Sequence, residues 1–129
     1  MIFMDTYFRT NRLRSLFLAR GNKIMHSSNN LIDLKVLNTG YDDILGSVYP
    51  SSLSVDIEEN EFSLRAVIDA KKIADRKDLI EEVPSILKWF IKRFVARPVY
   101  YGFIAQVSME IDNKELNGFG NYEYMAFRT

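Results

Sequence analysis

The chain has 129 residues, 47% of them hydrophobic and 13% aromatic, with no cysteine and equal numbers of acidic and basic side chains, 17 of each. Those figures exclude disulfides, thiolate metal centres and a cysteine nucleophile, and leave no whole-molecule field to steer the protein onto nucleic acid or an acidic surface. They supply enough apolar side chains for one self-sufficient core, and without an apolar run of roughly 18 residues or a secretory h-region the expectation is a cytoplasmic, single-domain protein.

Charge is unevenly spread. Residues 1–24 carry Arg9, Arg12, Arg14, Arg20 and Lys23 against Asp5 alone, roughly +4, and the remainder offsets it. Leu13, Leu16 and Phe17 stand at helical spacing and Gly21 where a C-terminal cap belongs, so this segment is expected to form a short basic helix. The run from Gly21 to Asn30, GNKIMHSSNN, reads as a connector. It divides a basic segment over 1–24, readable as an extension, from one domain over 25–129.

Strand patterns follow. Ile32, Leu34 and Val36 alternate with polar residues, and a loop holding Gly40, Gly46 and Pro50 is expected over 38–50. Leu53, Val55 and Ile57, then Phe62, Leu64, Ala66 and Ile68, describe a β-hairpin turning at Asn60, a residue that tolerates positive φ.

From Asp78 to about residue 96 the pattern changes to that of a long helix. Leu79, Ile80, Val83, Ile86, Leu87, Phe90, Ile91 and Phe94 fall within an arc of roughly 140°. Asp78 and Glu81 suit its N-terminus, and Arg93 and Arg97 its C-terminus. Pro84 conflicts with an unbroken helix and predicts either a kink or a short turn followed by a helix beginning near Pro84. After Pro98, the residues Val99, Tyr101, Phe103, Ala105, Val107, Met109 and Ile111 alternate on one face of a long strand. Residues 113–118 supply a turn, and 119–128 return as its partner. The order α-β-β-β-α-β-β implies an α+β fold: a mainly antiparallel sheet of about five strands, the long helix packed on one face, and a shorter N-terminal helix.

Chemical signatures are weak. His26 is the one histidine, with no second histidine or cysteine to complete a metal site or a catalytic pair. Asp42, Asp43, Asp56, Glu58, Glu59 and Glu61 match no calcium-loop spacing and read as solvated turns. Gly118-Phe119-Gly120 lacks the strand-to-helix context of a phosphate loop. No catalytic residue, metal ligand or cofactor site is assigned.

Surface residues say more. Trp89 lies about 60° outside the apolar arc with Arg93 one turn on, and the residue pair belongs to types enriched in binding hot spots. The expected function is a protein-binding module that occludes a partner's surface, as an inhibitor, immunity protein or adaptor does, with Trp89, Arg93, Tyr100, Tyr122 and Tyr124 as contacts. A homodimer is compatible with this reading. One alternative is a small-molecule binder or cofactor-free enzyme with an apolar pocket between sheet and helix, lined by Tyr101, Phe103 and Met109. Another is contact with nucleic acid or an anionic membrane through residues 9–23.

Overall fold

A computed structural model describes residues 2–8, 11–20, 22–29, 32–94 and 97–128. The described chain is mostly antiparallel strand: β1 (Ile2–Phe8), β2 (Asn11–Arg20), β3 (Lys23–Asn29), β4 (Ile32–Asp42), β5 (Ser47–Glu59) and β6 (Phe62–Asp78). One helix, α1 (Ser85–Phe94), separates these from β7 (Arg97–Ile111) and β8 (Lys114–Arg128). β1 to β3 form a three-stranded sheet and β4 to β8 a five-stranded one, each in sequence order.

This corrects the α+β expectation in three places. The segment expected as a basic N-terminal helix is the β1–β2 hairpin, in which Ile2 pairs with Phe17 and Phe8 with Asn11. Helical spacing over one or two turns is weak evidence, because a helix that short is marginal alone. The apolar, β-branched and aromatic sequence of β1 offers a ladder that overrides it. The expected connector is β3, paired with β2 from Arg20↔Lys23 to Ser15↔Asn29. The long helix over about 78–96 is a ten-residue helix preceded by turns, and it is not packed on the sheet.

Local chemistry explains that last change. The Asp78 carboxylate accepts the Ile80 N–H at 3.2 Å, and backbone bonds from Glu81 to Asp78 and from Val83 to Ile80 close two successive turns. The Leu79 N–H donates to the Pro98 carbonyl, holding this start against β7. Pro84 has no N–H to continue such turns; its carbonyl accepts the Lys88 N–H at 2.9 Å and opens α1 instead.

The hairpin centred on Asn60 forms as expected, with Glu59 opposite Phe62 and Asn60 at φ 46°. Asp112 and Asn113, at φ 47° and 66°, make a tight two-residue connection between β7 and β8, so β8 begins earlier than its sequence pattern suggests. The expected loop over 38–50 is largely strand, with the turn confined to residues 43–46.

The apolar face of the five-stranded sheet carries two joined clusters. Leu53, Val55, Ile57, Leu64 and Ala66 centre the first, and Val99, Tyr101 and Phe103 the second, with Tyr122 packed against both. β5 pairs with β6 only from Ser52 onward, while residues 47–50 stay paired with β4. Register shifts in β4 around Asn38 mark the bend. Beyond it the β4–β5 tip folds across the sheet, and Leu45 and Tyr49 cover Tyr101 and Phe103. Pro50 is tolerated because β5 has left β6 there. The hairpin tip thus performs the covering expected of the helix.

Candidate partner-binding site

α1 leaves the sheet between the paired ends of β6 and β7, where Asp78 lies opposite Val99. Its anchor is Ile80, only 1% exposed. Past Pro84 none of the described side chains of α1 is fully buried, and only Lys88 and Ile91 are partly so. Ile86 is 87% exposed, Leu87 52%, Trp89 64% and Phe90 55%. No strand makes broad contact with α1 among the described residues. The helix sequence SILKWFIKRF contains Lys88, Lys92 and Arg93 and no acid. Its surface is therefore apolar with a cationic margin.

Of the five sequence-predicted contacts, Trp89 and Arg93 stand one turn apart on α1, both exposed. The three tyrosines divide between faces of the sheet. Tyr100 is on the outer face of β7, where its hydroxyl donates to the Glu123 carboxylate; partial burial, then that carboxylate, holds the phenol above its ordinary range. Tyr122 and Tyr124 are on the inner face, opposite Phe103 and Tyr101. The Tyr122 ring stacks on Phe103 at 5.2 Å. Burial, with a smaller contribution from Tyr124, raises its phenol far above the usual range. The five residues do not converge on one surface.

The apolar arc assigned to the core divides: Ile80 is buried and Leu79, Val83 and Ile91 are half-buried, whereas Ile86, Leu87 and Phe90 join Trp89 in solvent. Of the residues expected to line a pocket between sheet and helix, Tyr101 and Phe103 are buried beneath the β4–β5 tip, and Met109 is packed against the other cluster. The side chains of residues 9–20, which the nucleic-acid reading needs, lie outside the described residues; Lys23 is exposed.

Two polar groupings were not anticipated. Asp42, 5% exposed, meets the Arg76 guanidinium at 2.7 Å and accepts the Tyr101 hydroxyl at 3.3 Å. It also accepts the backbone N–H groups of Ile44 and Leu45 in the turn. Its partners are 34 and 59 residues away, so no local pattern announces them. His26 stacks on Phe62 with ring centroids 3.7 Å apart, and its Nε2 is 3.0 Å from a Glu59 oxygen, fastening β3 to the β5–β6 turn. Both groupings join strands, and neither has the convergent free groups of a catalytic centre. Among the described residues no cluster of three or more potential metal ligands occurs, and no helix is long and apolar enough to cross a membrane, which says nothing of strands.

No protein-family model matches the chain, and comparison with curated proteins and with solved structures finds no match either.

Proposed function

We propose that the protein is a binding module that docks through α1, inserting its exposed face into an apolar groove on a partner protein. The observation that carries this reading is the exposure of Ile86, Leu87, Trp89 and Phe90 on one short helix. Apolar side chains gathered at this density on a surface mark an interaction site more often than a tolerated flaw, and helix-in-groove recognition uses such anchors. The excursion that carries the helix is tied at its base, by the Asp78 turns and by the Leu79–Pro98 bond, which lowers the ordering cost of binding. Lys88 and Arg93 favour a groove with an acidic rim.

The test is affinity capture with the full chain, followed by Trp89→Ala and Ile86→Asp. Each variant is expected to lose the captured protein while circular dichroism and melting temperature stay unchanged. Retention by both would overturn the assignment, and binding to anionic vesicles with no protein captured would move the occupant of α1 to a lipid surface.

A further inference from the structure

The two edges of the five-stranded sheet are built differently. β4 is interrupted by register shifts around Asn38, carries an Asp33–Lys35 ion pair, and approaches β2. Such irregularities and charges are the usual protection of an edge against pairing. β8 has charges of its own, at Lys114, Glu115, Glu123 and Arg128, but none of the irregularity. Its fifteen residues keep unbroken register with β7 from Ile111↔Lys114 to Arg97↔Arg128, and they contain no proline. Among the described residues no strand pairs with its outer side. Phe119, 79% exposed, and Met125, 52% exposed, stand on its outer face.

We propose that β8 is a pairing edge whose occupant is a second copy of this chain, joined antiparallel about a two-fold axis at Tyr122. Side chains alternate across a strand, so two copies keep a continuous apolar face only when even-numbered residues oppose even-numbered ones. Among registers that satisfy this, an axis at Phe119 opposes Glu115 to Glu123, and an axis at Asn121 sets Phe119 against Glu123. An axis at Gly120 leaves Phe119 facing Asn121. With the axis at Tyr122, Phe119 meets Met125 of the second copy, an aromatic–thioether contact. Tyr124 of the second copy then lies opposite Gly120, where an added Cβ would meet only Val107, at 3.8 Å. Glu123 lies close to this axis, but Tyr100 engages its carboxylate from β7, on the side away from the edge. The pairing surface is therefore self-complementary in shape and free of opposed like charges.

Sedimentation of the full chain at micromolar concentration is expected to give a dimer. Phe119→Lys and Met125→Lys should each raise its dissociation constant about tenfold or more, because each dimer loses two cross-strand pairs. Phe119→Lys combined with Met125→Glu should restore dimerisation, since the two positions face one another. The cysteine-free background provides a second measurement that does not depend on those charges. Oxidising a mixture of Phe119→Cys and Met125→Cys chains should cross-link one to the other, and neither pool alone. Trp89→Ala should leave the dimer intact, separating this surface from α1. A monomeric wild type, a dimer surviving both lysine variants, cross-linking within either single pool, or assemblies that keep growing with concentration would each overturn the proposal.

Discussion

Replacing Asp42 tests how the folded-over hairpin tip is held. Its carboxylate joins a turn, an arginine and a buried phenol, and Asp42→Ala leaves the Tyr101 hydroxyl without that acceptor at 0% exposure. The expected cost in urea unfolding is about 2–3 kcal/mol, at the lower end for a broken buried pair because the Arg76 side chain, 30% exposed, can turn to water. Tyr122 makes a pH prediction. Its phenol is raised above the ordinary 10.0, chiefly by burial, so the neutral form is the one that folding favours. Its contribution is complete below about pH 10 and is lost as pH rises through the folded value. Tyr122→Phe should therefore flatten the alkaline fall in stability measured by denaturant titration between pH 9 and 11. Two glycines offer a contrast: a Cβ at Gly40 would stand 2.5 Å from the Tyr49 ring, whereas one at Gly118 meets nothing within 4 Å. Gly40→Ala should cost about 1–3 kcal/mol, and Gly118→Ala should be neutral or slightly stabilising.

At the scale of elements, α1 and the turns before it should respond oppositely to mutation. Ile86→Asp should change unfolding free energy by no more than about 0.5 kcal/mol, because the side chain is already in water. Ile80→Ala should cost about 2–4 kcal/mol, because Ile80 is fully enclosed. Equal effects would mean that the helix packs on the sheet after all. Periodicity in the sequence predicted a helix over about 78–96, of which only Ser85–Phe94 is helical, and of the two outcomes that Pro84 allowed, a kink or a later start, the structure has the later start. It could not foretell the burial. An apolar arc has the same pattern whether it faces a core or a partner, and a covering layer was available from elsewhere in the chain. Hairpins were legible where alternation was uninterrupted, as in Leu53–Ile57 with Phe62–Ile68, and where Asn60 marked the turn. They were illegible where Gly40 and Pro50 stand within strands, since both residues signal loops unless local pairing and packing accommodate them.

For the whole molecule, what the sequence conveyed was a largely antiparallel sheet with an apolar inner face; its division into two sheets escaped detection. β2 and β3 are Arg- and Ser-rich strands without an alternating apolar face, and the Gly21-Asn22 pair between them reads as a helix cap and connector as readily as a hairpin turn. The Asp42 node was hidden for a related reason, since it exists only once a bent hairpin brings distant strands together. Trp89 and Arg93 were legible as surface groups because a tryptophan off the apolar arc stands out from its neighbours. Their companions Ile86, Leu87 and Phe90 looked like core.

The excursion over residues 79–98 also sets an order of events. β6 and β7 share a long ladder, yet its Asp78–Val99 end is bridged by that excursion, whereas Asn60–Glu61 and Asp112–Asn113 close their hairpins with two residues. Closing a loop about ten times longer costs roughly 2 kcal/mol more in chain entropy, so the central ladder should form after its neighbours and limit the folding rate. Substituting an Asn-Gly turn for residues 79–98 should accelerate refolding by about tenfold or more in stopped-flow measurements, if this closure governs the barrier. The segment proposed to offer α1 to a partner would then also be the one that delays completion of the sheet.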